Sequence, residues 1–295
     1  MRNRDETLIF LHLPKTGGST LSRILERHYS PSETLTVDAP GLAGLKTLPD
    51  AQRARYRLIQ GHLYFGLHRL VPGSSTYVTF LRRPVERVLS FYYHASSKPD
   101  HYLYPSLTTE RLDLKTLLAR NLTEELCNLQ TRMLAGDEWE DPQRIVTRAA
   151  LDQAKANLRS HFRFVGLMEE FDASLLLLHR AFDWPLHFYA KENVAKEKPP
   201  DASLDGETRR MVEEANSLDL ELYEYMRNLF AEECRAAGDS LAVDLVRFRR
   251  SNAAYGRLVP RFARSLHRII CRTQNSLRFN KRVLAWSGEK NRGNN

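Results

Sequence analysis

Lys15 stands two residues before the pair Gly17-Gly18 and close to the hydroxyls of Ser19 and Thr20, a grouping suited to holding an anion. The glycines allow a tight turn with outward-facing backbone N–H groups, and a helix starting there adds unsatisfied N–H groups of its own. A helix N-terminus with a lysine beside it favours phosphate or sulfate. Ser19 or Thr20 is the expected cap of that helix. A second basic pair, Arg82-Arg83, is followed by Pro84 and, eight residues after Arg82, by Ser90. Pro84 to Ser90 is about 9 Å of helix rise, so an arginine at the turn and the Ser90 hydroxyl can converge on one anion. The third group is His62, directly after Gly61, an imidazole able to take a proton near neutral pH. Together these residues point to chemistry on a phosphate or sulfate ester.

The elements that must position them follow from periodicity. Residues 8–13 are an apolar run that predicts a buried strand, and Leu21, Ile24, Leu25 and His28 recur at helical spacing. Residues 77–81 have strand composition and end at Arg82-Arg83-Pro84; Pro84 suits the first position of a helix, which Val85, Val88, Leu89 and Tyr92 continue. Residues 57–61 read as a short strand that delivers His62 where open α/β sheets bind ligands, just past strand C-termini. Elsewhere, helices are expected over 112–135, 142–158, 175–182 and 208–237, and a strand over 162–167. Loops are expected over 30–50, 96–107 and 191–200. Strands each followed by helices imply an α/β fold, a P-loop-like parallel β-sheet flanked by helices.

Each feature has a plainer reading. A glycine-rich turn is common, and Arg82, Arg83, Glu86 and Arg87 suit a solvated helix face with i, i+4 pairing. A nucleotide-triphosphate P-loop, G-x-x-x-x-G-K-[ST], places its lysine after the glycines; here Lys15 precedes them and no glycine lies upstream, which disfavours a P-loop nucleotide kinase or phosphotransferase, kept as one alternative. A catalytically silent nucleotide-binding protein remains as the other alternative.

His12-Leu-Pro-Lys-Thr-Gly-Gly-Ser-Thr20 resembles the 5′-phosphosulfate loop of sulfotransferases, and Phe80-Leu-Arg-Arg-Pro-Val-Glu-Arg-Val-Leu-Ser90 resembles their 3′-phosphate motif. Both are similar to the carbohydrate branch that includes the heparan sulfate 2-O- and 6-O-sulfotransferases and bacterial relatives. Weaker similarity continues through Asn128-Leu-Gln-Thr-Arg132, Phe164-Val-Gly-Leu-Met-Glu-Glu-Phe171 and Leu218-Asp-Leu-Glu-Leu-Tyr223. The resemblance implies the donor substrate 3′-phosphoadenosine 5′-phosphosulfate (PAPS), no metal, and a hydroxyl acceptor on a glycan or glycolipid. It implies that Lys15 neutralises the leaving oxygen while Thr16, Gly17, Gly18, Ser19 and Thr20 hold the 5′-phosphate. Arg82 and Ser90 would hold the 3′-phosphate, and segment 191–200 lies where the family closes over the donor. Where the family usually has aspartate this chain has Arg83, which removes an orienting carboxylate and suggests that Arg82 and Arg83 share the phosphate.

Ten histidines compete for the role of base. His62 is preferred, because its Gly-His-Leu-Tyr-Phe context also resembles the catalytic Gly-His segment of the heparan sulfate 2-O-sulfotransferases. His12, within the first strand, is expected to pack against the loop; His94 can face the site from the second motif helix; Glu169 is the carboxylate alternative. The 295 residues suffice for one large domain, expected over 1–239, with a basic helical extension over 240–295. Residues 240–295 carry a net charge of +11, whereas residues 1–239 carry −3. Leu258, Phe262, Leu266, Ile269 and Ile270 lie at helical spacing among arginines, so the tail is expected to meet an anionic membrane surface or to dock on the domain. No base-reading nucleic-acid module is visible. Three scattered cysteines fit neither a disulfide framework nor a zinc site. With no run of eighteen apolar residues and no signal segment before the first strand, a cytoplasmic protein peripheral to the inner face of the membrane is expected.

Overall fold

A computed structural model of the chain describes residues 6–37, 39–137, 140–141, 143–189 and 204–258. The first strand, β1 (Thr7–Leu11), is buried along its whole length because it pairs on both sides and is covered on both faces. It ends two residues before the expected limit; the chain leaves the sheet at His12, whose N–H still reaches the Gly61 carbonyl at 2.9 Å. β2 (Thr34–Val37), β3 (Leu58–Gly61), β4 (Ser75–Leu81) and β5 (Phe162–Leu167) complete a parallel sheet in the order β2-β3-β1-β4-β5. The predicted α/β class is therefore observed. From β1 the chain passes to the edge strand β2, returns to β3 beside β1, then crosses to β4 and β5 on the other side. The crevice between the carboxyl ends of β1 and β4 is thus the topological switch point, the place where such sheets bind ligands.

Helix α1 (Gly18–Glu26) follows β1 and buries Leu21, Ile24 and Leu25 against the sheet; His28 lies beyond its end, its ring stacked on Trp184 at 4.3 Å. Helix α4 (Pro84–Ser97) follows β4 with Pro84 in its first turn and buries Val85, Val88 and Phe91. Between them, α2 (Ala39–Thr47) and α3 (Asp50–Arg53) lead to β3. The expected loop over 30–50 therefore contains β2 and α2: the four-residue edge strand is stabilised by pairing Thr34 to Leu58 and Val37 to Gly61, a non-local register that local composition does not announce. The stretch 96–107 is irregular only between α4 and α5 (Tyr104–Thr108).

The single helix expected over 112–135 is two, α6 (Leu114–Ala119) and α7 (Leu129–Ala135), separated by a 3₁₀ turn at Glu124–Leu126. Asn121 and Asn128 break it by adopting left-handed conformations, both with φ 47°. Helices α8 (Arg148–His161) and α9 (Phe171–Phe182) flank β5, which spans the predicted residues 162–167. The helix expected over 208–237 divides at Asn216 into α10 (Gly206–Ala215) and α11 (Ser217–Leu258). The buried Asn216 amide donates to the carbonyls of Leu126 (2.7 Å) and Val212 (2.9 Å) and so fixes the break.

α11 is kinked at Gly238 (φ 65°, ψ −164°), just before the expected boundary at 239. Beyond the kink, residues 240–258 lie on the body of the molecule. Leu241 and Phe248 are buried, Phe248 stacks on Phe188 at 5.8 Å, and Asn252 accepts the Tyr189 N–H at 2.7 Å. The expected loop 191–200 and the amphipathic positions Phe262 to Ile270 lie outside the described residues. Among the described residues no helix is long and apolar enough to cross a membrane.

Candidate active site

Four neighbouring strands deliver the candidate residues to one edge of the sheet: Lys15 follows β1, His62 follows β3, Arg82 follows β4, and Met168-Glu169 follow β5. The strand order makes this one crevice. The turn after β1 is built tightly. Gly17 has φ 83° and faces the Met168 sulfur, so a side chain there would be both strained and obstructed. A Cβ on Gly18 would stand 2.0 Å from the His12 ring. Thr16 is buried and its hydroxyl donates to the Leu13 carbonyl at 2.8 Å, which closes the turn on itself.

Ser19 and Thr20 do not cap α1. Its N-cap is Gly17, and no side chain satisfies the first turn. The Thr20 N–H instead bonds back to the Gly17 carbonyl at 3.1 Å. The start of α1 therefore presents uncapped amides beside Lys15, an arrangement suited to a phosphate or sulfate group. Lys15 itself has φ 69°, sparsely populated for a residue with a Cβ. Its carbonyl accepts a hydrogen bond from Nη1 of Arg82 at 3.0 Å, so the two basic motifs meet directly.

Electrostatics agree with a shared crevice. The Lys15 ammonium has its pKa lowered to about 8, first by burial, then by the neighbouring charges of Arg82 and Lys98, against a smaller opposing pull from Glu125. Burial likewise lowers the pKa of Arg82, and Glu169 and Glu86 oppose the shift. The side chain of Arg83, expected to share an anion with Arg82, is exposed and hydrogen-bonded to Tyr223. Ser90 lies two turns into α4, half-buried, on the helix that Arg82 precedes.

His62 is open to the crevice yet crowded on its other sides. Its ring lies 4.3 Å from that of His12, and its Nδ1 is 2.7 Å from the His12 carbonyl oxygen. A carbonyl only accepts, so Nδ1 carries the proton and Nε2 is left with its lone pair. Burial lowers the His62 pKa, the bond to the His12 backbone raises it, and the Lys15 charge lowers it again, with a net downward shift. A neutral imidazole with a free Nε2 is the state a general base requires. His12 is pushed well below the ordinary imidazole value by burial, by His62 and by Lys15, and serves as the expected buttress.

Glu169 is not a free base. Its Oε1 accepts the Arg83 N–H at 2.9 Å and its Oε2 accepts the Tyr223 hydroxyl at 2.8 Å. His94, expected to face the site, is joined at the crevice by Gln130, whose role sequence reasoning did not give, and by Glu125, which it missed. Gln130, fully buried, accepts the Arg82 N–H at 3.0 Å and donates to the Arg82 carbonyl at 2.9 Å. His94, one turn after Ser90 on α4, has its pKa lowered to about 4 by burial and then by Lys15, His101 and Lys98. Glu125, which feels the Lys15 charge, accepts from the Tyr102 hydroxyl at 3.1 Å. Arg87, which suited a solvated face, is wholly buried and donates from Nη2 to the Glu125 carbonyl at 2.7 Å.

Residues 2–260 match the family described as galactose-3-O-sulfotransferase. Human galactose-3-O-sulfotransferase 3 is 28% identical over 80% of this chain and 59% of its own length. Bovine galactosylceramide sulfotransferase is 27% identical over 85% of this chain and 63% of its own. Zebrafish heparan-sulfate 6-O-sulfotransferase 2 is 26% identical over 79% and 60%. The matches span about three fifths of the length of these curated relatives. Among solved structures, a mouse sulfotransferase complexed with PAP aligns with a TM-score of 0.37 at 14% identity, over 73% of this chain and 66% of that one. With nearly its whole described length matched, this chain belongs to the galactose-3-O-sulfotransferase family.

Proposed function

We propose that this protein is a sulfotransferase that moves a sulfuryl group from PAPS to a hydroxyl of a carbohydrate acceptor. The observation that carries the reading is the hydrogen bond from the Arg82 guanidinium to the Lys15 carbonyl, which joins the two anion-binding turns in one crevice. The uncapped amides at the start of α1, those of Gly18 and Ser19, with the Thr20 hydroxyl beside them, are suited to the 5′-phosphate, and Arg82 with Ser90 to the 3′-phosphate. With both ends of the nucleotide held, the acceptor oxygen attacks sulfur and the S–O bond to the 5′-phosphate breaks. Its electron pair stays on the phosphate oxygen, where Lys15 neutralises the charge that develops. The acceptor's proton passes to Nε2 of His62.

The acceptor class rests on the relatives, whose names specify galactose, galactosylceramide and heparan sulfate. Tyr102, exposed and stacked on His101 at 4.7 Å, offers a flat aromatic surface near Lys15 on which the apolar face of a pyranose can rest. The basic stretch 240–295 is proposed to attach the protein to an anionic surface; salt-sensitive co-sedimentation with phosphatidylserine vesicles, absent with neutral ones, tests that role. The central test is thermal stabilisation. Desulfated donor, 3′-phosphoadenosine 5′-phosphate (PAP), should raise the melting temperature without magnesium, and ATP with magnesium should not. Stabilisation by Mg-ATP alone would instead identify a phosphotransferase.

A further inference from the structure

We infer that Gln130 is a positioning residue for Arg82, and that through it the interior of the molecule sets how the Arg82 guanidinium is presented to the donor's 3′-phosphate. The inference rests on the assignment of Arg82 to that phosphate. β4 ends at Leu81, so Arg82 has no strand partner to hold its backbone on the side away from β5. The Gln130 carboxamide takes that place. Its Oε1 accepts the Arg82 N–H at 3.0 Å and its Nε2 donates to the Arg82 carbonyl at 2.9 Å, copying the paired bonds of a sheet from a side chain. Two bonds on one residue restrain the peptide planes on both sides of it, and therefore the direction of its Cα–Cβ bond. Only a planar group with one acceptor and one donor can do this: an ionised glutamate lacks the donor, and an apolar residue lacks both.

The clamp is itself anchored. The carboxylate of Asp219, fully buried, accepts the Gln130 N–H at 3.1 Å and the Thr131 N–H at 2.7 Å. Asn128 returns the arrangement, its Oδ1 accepting the N–H groups of Leu218 and Asp219, both at 3.0 Å. The starts of α7 and α11 thus cap each other, and the amide of Gln130 projects from that junction. On the next residue, Glu169 holds the Arg83 N–H while Tyr223, also on α11, holds Glu169. Arg82 is left with one free direction, toward Lys15 and the crevice. A guanidinium that must meet a phosphate loses much of its value when displaced by about 1 Å, which is why a group that never touches substrate can govern affinity.

The test compares the affinities of PAP and adenosine 5′-phosphate, which differ by the 3′-phosphate alone, for the full chain. Calorimetry is run on wild type, Arg82→Ala, Gln130→Met and the double variant, with ligand-free melting curves alongside. Wild type should prefer PAP, and Arg82→Ala should abolish the preference. Gln130→Met should cut it about tenfold by leaving the guanidinium misaligned, with adenosine 5′-phosphate affinity unchanged. In the Arg82→Ala background Gln130→Met should add nothing, since both act on one contact. Gln130→Glu, which keeps the shape and the acceptor, is run in parallel so that a folding failure of the methionine variant leaves the comparison intact. A lowered melting temperature with the wild-type preference retained would reduce Gln130 to a structural residue and overturn the inference. Absence of any preference in wild type would overturn the assignment of Arg82, a distinct result.

Discussion

At the scale of single residues, the site depends on two groups held away from their ordinary protonation behaviour. In the proposed reaction Lys15 must be charged to neutralise the leaving oxygen, and its pKa of about 8 lies near neutrality because burial and the Arg82 charge disfavour the ammonium. A lysine is charged below its pKa, so kcat/KM should fall as pH rises through about 8. The limb should move upward in kcat, because bound phosphates stabilise the ammonium. Lys15→Arg should remove the limb from the accessible range; an unchanged limb in that variant would assign it elsewhere. As the proposed base His62 must be neutral, and its lowered pKa places the acidic limb below the ordinary imidazole value. His62→Asn should lower kcat about a hundred- to ten-thousandfold and abolish the acidic limb while PAP still binds. Lys15→Ala should lower kcat about a hundred- to a thousandfold, the scale of one lost contact to developing charge. Single-turnover transfer assays at several pH values read all of these.

At the scale of elements, the turn after β4 is gripped by segments far away in sequence: α7 through Gln130, the end of β5 through Glu169, and α11 through Tyr223. These segments are the ones in which Asn128–Arg132, Phe164–Phe171 and Leu218–Tyr223 carried a weak likeness to sulfotransferases, and the contacts give that likeness a physical basis. Tyr223→Phe should therefore weaken PAP binding modestly, by releasing Glu169 from one of its two partners, with little change in melting temperature. The turn after β1 is equally intolerant. Gly18→Ala sets a methyl against the His12 ring, which in turn carries His62 at 4.3 Å. Overpacking of this kind costs about 1–3 kcal/mol, so the variant should melt several degrees lower and lose activity beyond that loss of stability. Wild-type melting would show that His12 moves aside freely.

At the scale of the whole molecule, the helical run after Gly238 returns to the body instead of projecting from it. Arg249 pairs with Asp172 at 3.1 Å, Arg180 pairs with Asp244 at 2.7 Å, and Leu241 and Phe248 are buried. A fully buried leucine or phenylalanine contributes about 1.5–3 kcal/mol, a sizeable share of the stability of a domain. A chain ending at residue 239 should therefore melt well below one ending at 258, and aggregate as the face around Phe188 and Tyr189 is uncovered. Equal melting of the two chains would show that this helix contributes no stability to the body.

The strand–turn–helix units around Lys15 and Arg82, the glycine before His62 and strand 162–167 were all legible in the chain, because each is written in contiguous residues whose spacing reports a local conformation. The parallel sheet followed from the alternation of strands and helices. The edge strand β2, the breaks at Asn128 and Asn216, and the roles of Gln130, Arg87 and Asp219 were not legible, because each depends on partners dozens of residues away. A buried amide or carboxylate looks like any polar residue until its neighbours in space are known. Chemical identity resides in short motifs; the aim of each group is set by long-range hydrogen bonds, which only the folded arrangement of β1, β4, α7 and α11 supplies.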